Sequence, residues 1–199
     1  MQRKLLIGLA CVLLVWGCQT TQSAVNTQLT SYFNIEPPLN NQKYVFVQVQ
    51  NGSGCDMNLQ DKITALIQQK GYRLTKNPEQ ANYILLANVI HAGEIDHDVL
   101  EFAYKTDYGA RIIKTSPKDP DMIGSALNKL TGAAAAKSKC IIMDLKLIEW
   151  QLKNGERKRV NAFNDKKTRI VSGVTGRRLP ETVMDEMSNE VIQKVTALF

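Results

Sequence analysis

The sequence of 199 residues is poor in the groups from which catalytic and metal-binding sites are built. Its two histidines, His91 and His97, lie in one short acidic stretch. It contains no GxSxG motif, no phosphate-binding glycine loop and no HExxH pair. Nucleophilic catalysis needs a serine or cysteine beside a base and an orienting group, and no such spacing occurs. The sequence therefore predicts a protein that is not an enzyme, with no catalytic residue, metal site or small-molecule substrate.

The acidic stretch 91–102 offers an alternative to this reading. Carboxylates and imidazoles are suitable metal ligands, but their spacing here matches neither a metalloprotease helix nor an EF-hand loop. We therefore expect a solvated acidic stretch, and a small-ligand or metal-binding protein using His91 and His97 is the least favoured hypothesis. The carboxylates of this stretch are Glu94, Asp96, Asp98 and Glu101.

Cysteine is also scarce, since the chain has four and two of them lie within the first 18 residues. Cys55 and Cys140 remain for the folded part, with no CxxC spacing that would indicate a metal. In an oxidising compartment these two can form a disulfide. Two separate buried thiols are the alternative.

Long apolar runs are lacking except at the N-terminus, where Arg3 and Lys4 precede an apolar run over residues 5–16. About a dozen apolar residues are too few for a membrane span, which takes about 20. A permanent transmembrane anchor is the alternative, but residues 19–23 are polar at once. Residues 1–17 are therefore predicted to be a cleaved signal peptide.

The residues Val15-Trp16-Gly17-Cys18 resemble a bacterial lipobox. The resemblance implies a covalent N-acyl diacylglycerol on Cys18, with no other cofactor. Cys11 is a weaker candidate, because it would leave too short an apolar region. Gln19 resembles the signal that sends a lipoprotein to the outer membrane, and several acyl chains at about 0.8 kcal/mol per buried methylene give a stable attachment. We expect a lipid-anchored outer-membrane protein in which residues 18–30 are a lipidated tether.

The 25 basic side chains exceed the 19 acidic ones, and two of the basic ones lie in the predicted signal. A mild excess of this kind favours anionic surfaces such as lipid phosphates, and nucleic acid is not expected as a partner of an exported chain. Basic residues that a hairpin could bring together into one patch are clustered near the C-terminus; separately solvated charges are the alternative. They are Arg157, Lys158, Arg159, Lys166, Lys167, Arg169, Arg177 and Arg178.

Hydrophobic periodicity predicts a compact single α+β domain over residues 31–199, behind a lipidated flexible tether. Alternating apolar residues predict strands, and the almost continuous apolar run 83–90 predicts a central strand buried on both faces. Apolar residues at helical spacing predict two amphipathic helices, at about 58–70 and 180–198, packed on a mixed sheet. Asn154-Gly155 predicts a hairpin turn. Strands are predicted at 43–50, 72–75, 83–90, 141–150, 157–163 and 167–171.

Residues 103–140 are predicted to form a variable middle segment of the domain. Its small apolar residues over 122–136 would allow close packing in lipid, but Asn128 and Lys129 interrupt them. An ordinary surface helix is the alternative, and the stretch is too short to be predicted as a membrane span.

Several segments together resemble the TraT family, the outer-membrane lipoproteins of conjugative plasmids linked to surface exclusion and complement resistance. They occur in the family's order behind the lipobox. Over residues 109–136 the chain departs from the family, because a long apolar segment is here shorter and broken by charges. The segments are Ile35-Glu36-Pro37, Val45 to Val49, Asn51, Ser53, Asp56-Met57, Lys70-Gly71-Tyr72, Ala87-Asn88-Val89 and Thr168 to Ser172 with the terminal helix.

The resemblance implies a non-catalytic homo-oligomer that blocks mating-pair stabilisation or DNA entry and contributes to serum resistance. Its partner would be a cell-surface protein or the mating apparatus. The alternative is a periplasm-facing structural lipoprotein of a secretion or envelope assembly, which the shorter middle segment favours.

Overall fold

The computed structural model describes residues 24–36, 43–112, 137–153, 156–160 and 165–199. Over these ranges the chain forms a mixed sheet of seven strands and three α-helices, which confirms the predicted α+β class. The predicted signal, Cys18, residues 122–136 and the Asn154-Gly155 turn lie outside the described residues. The strands are β1 (Asn26–Leu29), β2 (Tyr44–Asn51), β3 (Arg73–Leu74), β4 (Tyr83–Ile95), β5 (Lys137–Lys153), β6 (Glu156–Val160) and β7 (Lys166–Gly176), and the helices are α1 (Leu59–Gln69), α2 (His97–Tyr104) and α3 (Val183–Thr196).

The strands follow the order β1-β7-β5-β4-β2-β3, with β6 paired to β5. β2 runs parallel to β3 and β4, and the other pairs are antiparallel. All six predicted strands are present, but β4, β5 and β7 extend beyond their predicted limits. β4 continues past a bulge between Val89 and His91, so part of the acidic stretch is strand and part is α2. Its four carboxylates are nevertheless exposed, as predicted.

The tether is shorter than the predicted range 18–30, because β1 lies within that range. Asn26 to Leu29 pair with Gly173 to Ile170 of β7. The Thr27 and Ser172 hydroxyls are hydrogen-bonded at 2.7 Å, and Leu29 is buried. The prediction was wrong here because an edge strand is held largely by its backbone, and its polar side chains give no apolar alternation.

One face of the sheet is covered by α1 and α3, and it holds the larger core. Val45, Val47, Leu85 and Val89 alternate toward this face from β2 and β4. α1 contributes Leu59, Ile63 and Ile67, which confirms its predicted apolar side. α3 contributes Val183, Met187, Val191, Ile192 and Val195, also as predicted.

The opposite face carries a smaller core under α2. Leu100 and Ala103 of that helix pack on Cys140, Ile142 and Val171 of β5 and β7. Cys55 instead packs against the larger core, and its thiol donates to the Ala92 carbonyl at 3.3 Å. The sheet therefore separates Cys55 from Cys140, and both side chains are thiols rather than the two halves of a disulfide.

The rest of this opposite face bears an open apolar patch, which we define as Phe46, Ile84, Leu86, Ile148 and Trp150. In-register pairing places these side chains on one face, since Phe46 lies beside Ile84 and Ile84 beside Ile148. They are partly buried and belong to neither core. The prediction that 83–90 is buried on both faces is therefore wrong: β4 is central, but the described helices cover only one of its faces at this end.

The outer edge of β2 is closed by a side chain of α1. β3 bonds only the start of this edge, where Thr75 N donates to the Val45 carbonyl at 3.0 Å. Beyond it, Gln60 Nε2 donates to the Val47 carbonyl at 2.9 Å, and Val49 N donates to Gln60 Oε1 at 2.7 Å. One amide thus replaces the missing length of β3 and occupies positions that another strand would need.

Replacing Gln60 by leucine is expected to expose this edge. We expect a loss of about 1–2 kcal/mol in the free energy of unfolding, because two backbone groups lose their partners. We also expect self-association that rises with protein concentration, measured by sedimentation velocity. Gln68→Leu, at an exposed position of the same helix, is the matched control. Equal behaviour of the two variants would contradict this role for Gln60.

None of the helices in the described part of the chain is both long and apolar enough to cross a membrane.

Candidate interaction surface

The basic residues clustered near the C-terminus do not form one patch. Arg177 and Arg178 are exposed beyond the end of β7, whereas Arg169, within β7, is fully buried. The others lie on both faces of β6 and β7, and several are held by carboxylates. Arg169 must therefore be removed from the predicted anionic-surface contacts, because it forms a buried ion pair.

Arg169 makes a bidentate pair with Asp144 on the neighbouring strand. Its Nε donates to Asp144 Oδ1 at 2.7 Å and its Nη2 to Oδ2 at 3.0 Å. The side chains are in register across β5 and β7, and both are buried. This fork geometry is the strongest arrangement available to an arginine and a carboxylate.

The same pair holds the chain segment that follows α2. Arg169 Nη1 donates to the Thr106 hydroxyl at 2.9 Å, and Nη2 donates to the Ala110 carbonyl at 2.8 Å. Gly109 N donates to Asp144 Oδ2 at 2.8 Å. Three groups of this one segment thus converge on the ion pair. Its position fixes the start of the middle segment to the sheet.

A second ion-paired group lies at the start of β7. Asp165 accepts from Arg159 and lies 2.8 Å from the Lys146 ammonium nitrogen. Burial raises the pKa of Asp165, but the hydrogen bonds and charges of Lys146 and Arg159 outweigh it and hold that pKa below its usual range. These two cations are therefore partly neutralised by Asp165.

The remaining cations are divided between the two sides of the sheet. Lys166 donates to the Asn34 carbonyl and pairs with Glu149 at 2.8 Å on the helix-covered face. Lys158 pairs with Glu156 at 3.1 Å in an exposed position. The sequence alone could not assign these partners, because each depends on strand pairing.

Three cations stack on aromatic rings around the open apolar patch. The guanidinium of Arg157 lies 4.3 Å from the Trp150 ring centre, and that of Arg73 lies 5.9 Å from the ring centre of Tyr44. Lys167 Nζ lies 5.4 Å from the centre of the Tyr108 ring. Tyr108, which the Arg169 network brings to this face, was not predicted from the sequence, and neither was the patch itself.

The two histidines line a cleft where β4 meets α2. His91 Nε2 lies 3.1 Å from the Glu94 carbonyl oxygen, and His97 Nδ1 lies 3.4 Å from the Thr175 hydroxyl. Glu94, Asp96 and Lys137 also line this cleft. Within the described ranges, no three His, Cys, Asp or Glu side chains converge in a way that could hold a metal ion.

The geometry describes an α+β domain that presents a basic and aromatic surface on one open side of its sheet. A family model for the enterobacterial TraT complement resistance protein matches residues 23–139, which is more than half of the chain. The chain belongs to this family.

Several relatives carry the name TraT complement resistance protein. One from Escherichia coli is 38% identical over 96 residues, which cover 44% of this chain and 38% of the relative. One from Wigglesworthia glossinidia brevipalpis is 33% identical over 99 residues, covering 47% of this chain and 41% of the relative. The chain thus matches about two fifths of the length of these relatives.

Among solved structures, the chain resembles a PelC dodecamer from Paraburkholderia phytofirmans. The TM-score is 0.43 at 11% identity, over 88% of this chain and 96% of that chain. A similarity of this size supports no conclusion about the assembly or function of this chain.

Proposed function

We propose that the chain is an outer-membrane lipoprotein, anchored through Cys18, that acts in surface exclusion of conjugation and in resistance to complement. The family match over residues 23–139 carries this proposal. The lipobox-like residues 15–18 and the polar residues that follow support the anchor and its location. We propose a mechanism of binding and occlusion, in which the protein obstructs mating-pair stabilisation or DNA entry.

The partner in this mechanism is a protein of the opposing cell surface or of the mating apparatus, and the protein acts as a homo-oligomer. The oligomer is implied by the family rather than by the geometry. Sizing of the detergent-extracted protein is its test, and a monomeric size would contradict it.

Recipient cells that express the chain are expected to accept the plasmid that encodes it many-fold less often than recipients with an empty vector. The measurement is the transfer frequency per recipient in matings with the same donor. Cys18→Ala is expected to abolish the effect, because the protein would lose its lipid. Metabolic labelling with palmitate shows whether Cys18 is modified in the same cells. Equal transfer into expressing and empty-vector recipients would overturn surface exclusion.

A periplasm-facing structural lipoprotein is the second candidate. It is favoured by the charges Lys114, Lys118, Asp119, Asp121 and Lys129, which interrupt the segment 109–136. Protease treatment of intact cells separates the two candidates, because a surface-exposed domain is cut and a periplasmic one is protected. A protected domain that is cut only after the outer membrane is permeabilised would favour the periplasmic role.

A further inference from the structure

We propose that the open apolar patch and the cation–aromatic pairs around it form a surface that lies on a membrane containing anionic lipids. The proposal rests on the proposed lipid anchor for bringing the domain to the bilayer.

The centre of this surface is apolar and spans three neighbouring strands. Phe46, Ile84 and Ile148 lie side by side across β2, β4 and β5. Leu86 extends the row along β4, and Trp150 extends it along β5. Among the described residues, α2 covers only the other end of this face, over Cys140 and Ile142. The side chains of the row are partly buried, so that part of their apolar area is accessible at the surface.

The rim of the surface consists of side chains that combine an apolar body with a polar end. The three pairs are Arg157 with Trp150, Arg73 with Tyr44, and Lys167 with Tyr108. Trp and Tyr rings with adjacent Arg and Lys side chains suit the boundary between acyl chains and headgroups. Lys167 in particular fits a lipid interface better than the core of a protein contact, from which lysine is depleted.

The charge on this side of the sheet is complementary to lipid phosphate. Lys146 and Arg159 share the single carboxylate of Asp165. Arg169 and Asp144 neutralise each other in the interior. Arg73, Arg157 and Lys167 remain as cations. The Arg157 guanidinium also donates to the Pro78 and Ala81 carbonyls, at 2.8 and 2.6 Å, and Glu79 is the one further carboxylate that acts on it. The surface thus carries a net positive charge around an apolar centre.

The chain length from the proposed anchor keeps the domain near the bilayer. β1 begins at Asn26, and the segment from Cys18 to Asn26 can span at most about 30 Å when fully extended. A domain held this closely meets the membrane repeatedly, so that even a weak surface contact would be populated.

Trp150 provides the measurement, because the only other tryptophan of the sequence is Trp16 in the predicted signal. All proteins carry Trp16→Phe, so that the emission belongs to Trp150. The full chain, produced in bacteria and purified from their membranes in detergent, is reconstituted into phosphatidylcholine vesicles with or without phosphatidylglycerol. Each lipid mixture is prepared once with brominated and once with unbrominated acyl chains. We expect bromine to quench Trp150 strongly when phosphatidylglycerol is present and weakly when it is absent.

In the double variant Arg157→Gln/Lys167→Gln, the affinity of the surface for the anionic membrane is expected to fall about five-fold for each cation removed. This fall is observed as a loss of Trp150 quenching. The matched control, Arg177→Gln/Arg178→Gln, removes the same charge from exposed positions and is expected to quench like the parent protein. Circular dichroism verifies that the variants are folded. If a variant did not fold, the comparison of the two lipid compositions would still test the proposal, because it uses the parent protein alone.

Emission of Trp150 that bromine does not affect in either lipid mixture would overturn the proposal. Equal loss of quenching in both double variants would also overturn it, since net charge alone would then explain the binding. If Trp150 were protected from quenching only at a high protein-to-lipid ratio, the surface would instead be a contact with a second copy of the chain, and the proposal would be wrong. Mass spectrometry of the same preparation reports the modification of Cys18 separately, so failure of the anchor is distinguishable from failure of the surface.

Discussion

Arg169→Met is expected to lower the free energy of unfolding by about 3–5 kcal/mol, because it leaves the buried carboxylate of Asp144 without its partner. Thr106 and Ala110 lose hydrogen-bond partners in the same substitution. The measurement is urea denaturation of the wild-type protein and the variant, with the change taken from the midpoint at constant slope. We also expect faster proteolysis near residues 105–112, since this segment is held by the same pair.

The control for this substitution is Arg178→Met, which removes an exposed guanidinium and is expected to change stability by less than about 0.5 kcal/mol. A double variant, Arg169→Met/Asp144→Leu, tests the cause. It removes the unpaired charge and is expected to recover part of the loss. Recovery cannot be complete, because Gly109 N also loses its acceptor. A loss below about 1 kcal/mol in Arg169→Met alone would contradict the importance of the buried pair.

Much of the fold could be predicted from local pattern. The apolar spacing of Ile63 and Ile67 predicted α1, and that of Met187 and Val191 predicted α3, since each helix buries one side on the sheet. Alternation predicted β2 for the same reason. These elements depend on a contrast between neighbouring residues, and a sequence displays that contrast directly.

The burial of Arg169 could not be read from its neighbours, because Lys166 and Lys167 give its segment the appearance of a solvated basic cluster. Its partner lies 25 positions earlier, on another strand. One signal was present: Asp144 is a single carboxylate in the otherwise apolar start of the predicted strand 141–150. A buried carboxylate requires a cation or donors, so its presence there indicates a partner elsewhere in the chain.

The open apolar patch was missed for a related reason. The apolar run 83–90 has the composition of a strand covered on both sides, and composition does not state how many helices are available to cover it. Two of the described helices pack on one face, and α2 reaches only part of the other. Which face of a strand the helices cover depends on the topology of the whole fold, and the periodicity of a single strand carries no information about it.

Gly173→Ala is expected to destabilise the protein by about 1–3 kcal/mol, because α2 packs directly on this residue of β7. A methyl group there would lie 2.6 Å from Leu100 Cδ1 and 2.8 Å from the Tyr104 hydroxyl oxygen. Leu100 is buried, and the Tyr104 hydroxyl donates to the Asn26 carbonyl at 2.8 Å. Neither neighbour can move without a cost. Urea denaturation measures the loss, and at an uncrowded strand position the same change would stabilise by about 0.5–1 kcal/mol.

Two further variants separate crowding from other effects of the substitution. Gly52→Ala is the matched control, since its methyl group would meet only the Val89 carbonyl oxygen, at 3.4 Å. Leu100→Ala removes one of the two obstructing side chains and leaves the Tyr104 hydroxyl. In that background Gly173→Ala is expected to cost about 1 kcal/mol less than in the wild-type protein, roughly the coupling found between contacting residues. If the two substitutions were instead additive, contact with Leu100 would not be the reason for glycine at position 173.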